Sequence, residues 1–248
     1  MPPKRSKPRH RVSEVSRAPK GPPKRRLLPT HKLKPTVSKP RIQYFWRETD
    51  PVTGYLSQWY PCAFSDDKDP SIIYQTAEHY MMYQKAVLFS DPAAGAEILA
   101  APHPRQVKAL GRQINGFSDA VWHARREEIV RRGNLLKFTR PVDVEDGWWK
   151  VRVGDEGNDG GDGEGGNEKV SIRELLLRTG DREIVEASPR DRIWGIGFGA
   201  ARAGSMRKRW GLNLLGKALM AVREELRKEA KGQDGTEKGE KYGEPKKE

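Results

Sequence analysis

The placement of apolar side chains constrains this chain most. Residues 1–41 hold fourteen Lys or Arg against one acid, Glu14, and are punctuated by Pro2, Pro3, Pro8, Pro19, Pro22, Pro23 and Pro29. Such a stretch cannot bury enough apolar area to offset the entropy of ordering it. A core must therefore come from the residues that follow. Apolar patterning begins near Gln43 and fades after about Ala230, where the chain becomes a charge-balanced polar tail. The expected organisation is a disordered basic arm over 1–41, one domain over 42–228, and a disordered charged tail over 229–248.

Charge follows the same division. The 248 residues carry a net +13, and the arm alone accounts for it, because the remaining residues hold equal numbers of acidic and basic side chains. A high isoelectric point is thus no argument that the folded body binds nucleic acid. Within the arm, "PPKRR" and "KRSKPRHR" suit a contact with import machinery or a tether to nucleic-acid phosphates, beside the plainer reading of a solubilising tail. Cys62 is the only cysteine. No intrachain disulfide can form, and an intracellular compartment, cytoplasmic or nuclear, is expected. No run of about 18 apolar residues exists, so no membrane span is expected. The arm has no apolar stretch for a secretory signal, and its prolines break the helix a mitochondrial signal needs. The oligomeric state stays open.

Local signals give a coarse map of the body. "IQYFWRE" and "GYLSQWYPCAF" read as short strands or ordered loops around a Gly54 turn. Thr76 is placed to cap a helix running to Phe89. Asp91-Pro92 and His103-Pro104 each pair a cap with a proline at the first helical position. Ser118 opens a longer helix with Val121, Trp122, Ile129 and Leu136 on or near one face. Residues 154–168, "GDEGNDGGDGEGGNE", have no apolar side chain and read as a mobile acidic loop; their spacing does not match an EF-hand. The helix "SIRELLLRTG" follows, with Gly180 just past its end. Then come a short apolar strand, "EIVEAS", and a glycine-rich loop around Trp194. A final helix turns Leu214, Leu215, Leu219 and Val222 toward a core.

The residues that could do chemistry are few. His79, His103 and His123 are far apart and without metal-ligand spacing, so neither a metal nor another cofactor is expected. Cys62 has no local partner that marks a nucleophile, and no G-x-S-x-G elbow exists. "GIGFGAARAG" lacks the strand, helix and distal acid of a dinucleotide site. Carboxylates among aromatics remain. In the helix beginning at Ala77, Glu78, Met82 and Lys85 share a face. An acid in a first turn is favoured by the helix dipole, a lysine there can be a solvated surface group, and Trp122 and Trp194 can be core residues. Asp191 can cap a turn.

Read together, the motifs say more. "YLSQWYPCAF", "YQTAEHYMMYQKA", "LGR", the tryptophan of the next helix, "KF", "LLLRTGDREIVEASPRDRIWGIG" and "NLLGKALMAVR" occur in an order that resembles the NADAR (YbiA-like) family, from about Phe45 to Arg223. The resemblance implies a compact, helix-rich α+β single domain with a few short strands. It implies an N-glycosidase acting on phosphorylated ribosyl compounds, such as early riboflavin-pathway intermediates, or removing ADP-ribose from guanine bases. The family's active-site Glu, Trp and Asp fall on Glu78, Trp122 and Asp191, with Trp194 beside them. Glu78 is then the acid that steadies the sugar cation or activates water, and Asp191 orients water or holds ribose hydroxyls. Trp122 or Trp194 stacks on the leaving base. Lys85 and Arg112 would meet phosphate, and His79, Gln58 and Tyr74 complete the binding candidates. Two departures stand out. Gln58 replaces the usual Asn of "LSNFYP", and the segment between Phe138 and Leu175 is longer. A non-catalytic ADP-ribose or nucleotide-binding module tethered to nucleic acid by the arm, and a nucleic-acid-binding protein driven by the arm alone, are the rival readings.

Overall fold

Four helix starts are set by side chains standing where backbone N–H groups would otherwise be unpaired. Thr76 Oγ1 accepts from His79 N and opens α1 (Ala77–Leu88). Asp91 caps α2 (Pro92–Ala100) by accepting from Ala94 N at 3.1 Å. His103 Nδ1 does the same for Arg105 N at 3.1 Å at the start of α3 (Pro104–Leu110). Ser171 Oγ accepts from Glu174 N at the head of α5 (Ile172–Arg178). The long helix α4 (Asp119–Thr139) begins after Ser118 without such a bond. A short α6 (Ala200–Ala203) and a closing α7 (Leu214–Glu237) complete the set.

These elements belong to a computed structural model that describes residues 41–142, 148–152 and 167–237. The expectations for the arm up to residue 40, for 154–166 and for 238–248 lie outside the described residues. Asn167 and Glu168, assigned above to the acidic loop, lie in a strand. Here β4 (Trp148–Arg152) pairs antiparallel with β5 (Asn167–Ser171). The last helix also runs past the expected limit near Ala230 to Glu237. Extending an existing helix is far easier than nucleating one.

Among the described residues, sheet structure is confined to two-stranded ladders. Strands β2 (Phe64–Ser65) and β3 (Ile73–Tyr74) pair antiparallel. The ladder that matters for the site is parallel: β1 (Ile42–Phe45) lies beside β6 (Glu183–Glu186), with Ile42 opposite Glu183 and Phe45 opposite Glu186. The helices α1, α4 and α7 pack in series, and α7 lies on β6. Leu214, Leu215, Leu219 and Val222 of α7 are all buried, each worth about 1.5–3 kcal/mol relative to exposure. Where α1 meets α4, a Cβ on Gly133 would run into the Tyr80 ring, so only glycine lets the two helices approach this closely.

The face expected for α4 is corrected at its start. Val121 is 43% exposed, and the buried stripe is Val130, Leu135, Leu136 and Phe138, with Trp122 and Ile129 half-covered. Successive helical residues are about 100° apart, and at the start of α4 the core covers only the Trp122 side of that step, which leaves Val121 outside. Among the described residues no helix is long and apolar enough to cross a membrane. The architecture is a helix-rich α+β domain with short strands.

Candidate active site

Parallel strands deliver their C-terminal ends to the same edge, and both chains leave that edge as loops. After β1 come Trp46, Arg47, Glu48 and Thr49; β6 ends at Glu186 and leads to Asp191 and Trp194. All of these line one cleft of about 810 Å³. Its other walls are the loop Ser57–Trp59, the first turns of α1 at Glu78, Met81 and Met82, and the face of α3 bearing Arg105 and Lys108, with Arg112 just beyond. The loop is held from behind. Lys137, wholly buried on α4, donates from Nζ to the carbonyls of Tyr55 and Ser57 at 2.7 and 2.9 Å.

Glu78 lies at the base of this arrangement, 3% exposed. Its backbone N–H donates to the Gln58 carbonyl at 3.0 Å. Its Oε1 is closed off from solvent and has no hydrogen-bond partner. Burial pushes its carboxyl up to about 7; Asp191 adds to the rise, while Lys108, a hydrogen bond with Trp59 and Arg112 oppose it. A second carboxylate, Glu186, belongs to a half-buried residue whose Oε2 is enclosed; it is pushed up to about 8, again chiefly by burial of the carboxyl and then by Asp191 and Glu78, against Lys108. Asp191 is fixed differently, its Oδ1 accepting from the backbone N–H groups of Ile193 and Trp194 at 2.8 Å each. Gly195 makes this turn possible: a Cβ there would lie 2.8 Å from the Glu186 carbonyl oxygen and 3.2 Å from that of Asp191.

Around the carboxylates stand three indoles and a row of cations. Trp59 is gripped by α3, with the His103 ring edge-on at 6.2 Å and Lys108 Nζ 5.9 Å from its centroid. Trp46 carries the Arg47 guanidinium at 4.5 Å. Acid below, aromatic faces beside it and cations at the rim can hold a phosphorylated sugar bearing a flat heterocycle.

Glu78, Asp191, Trp194, Arg112 and Gln58 meet in this cleft; Trp122, Lys85, His79 and Tyr74 do not line it. Lys85 turns away from the Glu78 stripe and donates to the Gly111 carbonyl at 2.6 Å, with the Phe117 ring at 4.1 Å and the Trp122 ring at 5.5 Å. Its ammonium is already engaged, and Trp122 packs beside it against the main core. The His79 ring joins Thr76 Oγ1 to the Ala101 carbonyl, and burial lowers its pKa. Tyr74 is fully buried and donates to Asp66 Oδ2 at 2.8 Å. All four pack or hydrogen-bond against other parts of the protein around α1. Sequence reasoning did not pick out Glu186, Trp59, Trp46, Arg105, Lys108 or Arg190. The spacing of Arg105, Lys108 and Arg112, three then four residues apart, was the readable signal for a cationic helical face. Among the described residues no group of three or more His, Cys, Asp or Glu is arranged to hold a metal ion.

A family model described as the NADAR domain matches residues 44–227. The chain belongs to the NADAR family. Named proteins are similar to it along much of their length. One from Acanthamoeba polyphaga mimivirus, named an N-glycosidase, is 35% identical over 174 residues, covering 68% of this chain and 86% of its own. Another from Nostoc punctiforme, also named an N-glycosidase, is 36% identical over 152 residues, covering 61% of this chain and 74% of its own. The NMR structure of the E. coli protein YbiA shares the fold. Its TM-score is 0.52 at 24% identity, over 78% of this chain and 89% of that one.

Proposed function

We propose that this NADAR protein is a metal-independent N-glycosidase that hydrolyses the ribosyl C–N bond of phosphoribosyl or ADP-ribosyl compounds. The two substrate classes in view are riboflavin-pathway intermediates and ADP-ribosylated guanine, free or in nucleic acid. One observation carries the reading: Glu78 is buried in the cleft with an oxygen that no group of the protein satisfies. A fold gains nothing from such an oxygen, whereas a reaction that develops positive charge does. Similarity to proteins named N-glycosidases supports the same chemistry.

In this reading the C1′–N bond lengthens and positive charge spreads over C1′ and the ring oxygen. Glu78, as carboxylate, steadies that charge or takes a proton from the attacking water. Asp191, fixed by two backbone N–H groups, orients water or holds ribose hydroxyls. Trp194 and Trp59 offer the flat faces for the heterocycle, a role first assigned to Trp122 or Trp194. Arg105, Lys108 and Arg112 receive the phosphate in place of Lys85.

The test is turnover of both substrate classes by wild type and Glu78→Gln, with product masses. The reading requires wild type to release free heterocycle and sugar phosphate, and the folded variant to lose most of that rate. Equal rates in the two proteins would overturn it. Tight binding without turnover by wild type would instead indicate a binding module.

A further inference from the structure

Glu186 is a second anomaly in the same cleft. It ends β6 opposite Phe45, and its backbone is held on both sides: its N–H donates to Asn213 Oδ1 at 3.0 Å, and its carbonyl accepts from Ile196 N at 3.0 Å. Asn213 is itself anchored, donating from Nδ2 to the Ile184 carbonyl at 2.9 Å. The scaffold therefore fixes where this side chain starts. Its Oε2 is nonetheless shut off from solvent without a hydrogen-bond partner. A buried acid left in this state lowers stability. It faces the cleft with Glu78 and Asp191, so three carboxylates share one space. Carboxylates so placed disfavour one another's ionisation, and the one least able to ionise is the one that holds a proton longest as pH rises. Burial and both neighbours push the Glu186 carboxyl higher than that of Glu78, to about 8.

We propose that Glu186 is the acid that protonates the departing heterocycle, a role that rests on the N-glycosidase reading and adds a second catalytic carboxyl to it. As the C1′–N bond breaks, its electron pair moves to the ring nitrogen, and that nitrogen takes the Glu186 proton. Water adds to C1′, and the proton it releases is taken up by the Glu186 carboxylate while Glu78 stays ionised against the sugar, so Glu186 ends the cycle protonated. Glu78 and Glu186 divide the work: one holds the sugar cation, the other neutralises the base that leaves.

The division is tested by the leaving group. One substrate is a ribosyl 5′-phosphate of a neutral heterocycle, which needs a proton to depart. The other is a pyridinium N-riboside 5′-phosphate, whose ring leaves as a neutral pyridine without one. Glu186→Gln should lower kcat on the first by about 10²-fold or more, the usual scale of general acid catalysis. On the second it should change kcat by less than about threefold. Unchanged affinity for ribose 5-phosphate and an unchanged melting transition establish that the variant is folded. Equal losses on both substrates, or no loss on the first, overturn the assignment. If wild type does not accept the pyridinium compound, formate added to Glu186→Ala decides: recovery of tenfold or more supports the role, and no recovery overturns it. A wild type inert toward every N-ribosyl phosphate overturns the underlying reading, and the assignment with it. Undiminished turnover of the first substrate by Glu186→Gln overturns the assignment alone.

Discussion

Two lysines and two glutamates of this domain hold polar atoms away from solvent, Glu186 as a half-buried residue and the other three as buried ones, and they are treated in opposite ways. Lys137 and Lys85 spend their ammonium groups on backbone carbonyls: Tyr55 and Ser57 for the first, Gly111 for the second. Glu78 and Glu186 each keep an oxygen that is closed to water and paired with nothing. Burying a charge is expensive in either case. The lysines offset that cost with hydrogen bonds that hold loops to helices. The glutamates offset it only in part, through Lys108 and, for Glu78, Trp59 and Arg112, and both face the same cleft. In these two pairs the satisfied groups sit in the scaffold, and the carboxyls with an unpaired oxygen sit on the cleft.

That contrast can be broken by exchanging which kind of charge is removed. The largest effect is expected from Glu78→Gln, which should lower kcat by about 10³-fold in single-turnover assays. Its urea midpoint should stay level or rise, because a desolvated charge is removed. Lys137→Met should do the reverse. The Tyr55 carbonyl loses the ammonium and that of Ser57 keeps only Tyr60 N–H, so stability should fall by about 2 kcal/mol in urea unfolding. Turnover per folded molecule should remain within about threefold, and a larger fall would show that the lysine does more than hold the loop.

The contrast also has a pH signature. Both glutamates sit well above the usual value of 4.5, at about 7 and about 8. Between 4.5 and 8 the folded protein therefore binds more protons than the unfolded chain, and stability falls as pH rises through that window. The loss attributable to Glu78 should be on the order of 2 kcal/mol. Urea midpoints at pH 5 and pH 8 should differ less in Glu78→Gln than in wild type, and an equal difference would refute the assigned burial cost. The smallest effect belongs to the rim: Arg112→Met should raise KM for phosphorylated substrates by about tenfold and leave kcat nearly unchanged, the pattern of lost ground-state binding.

Much of the scaffold was legible because caps are local. Thr76, Asp91 and His103 each announce a helix within three residues, and the structure uses all three side chains as caps. The apolar stripe of α7 was equally clear. Glu78 was legible as a polar intruder in a first turn. Glu186 was not, because "EIVEAS" reads as an apolar strand, and only its pairing with β1 shows that its last residue opens onto a cleft. Lys85 misled for a related reason. A shared helical face predicts neighbours along α1, but the carbonyl of Gly111, more than twenty residues away in the chain, draws the ammonium aside. The burial of Trp122 beside Lys85 is likewise a tertiary outcome that helical spacing does not encode. The hairpin β4–β5 was missed because its two strands flank a long polar insertion that masks their pairing.

The parallel ladder has a consequence for how the enzyme is made. Ile42 waits for Glu183 before it has a partner, so the join is one of high contact order. Closing so long a loop is slow even when its entropy rises only logarithmically with length. A nascent chain can form α1 to α4 on the ribosome and still lack half of this cleft. Translation must pass Trp194 before the three acids can first share a pocket.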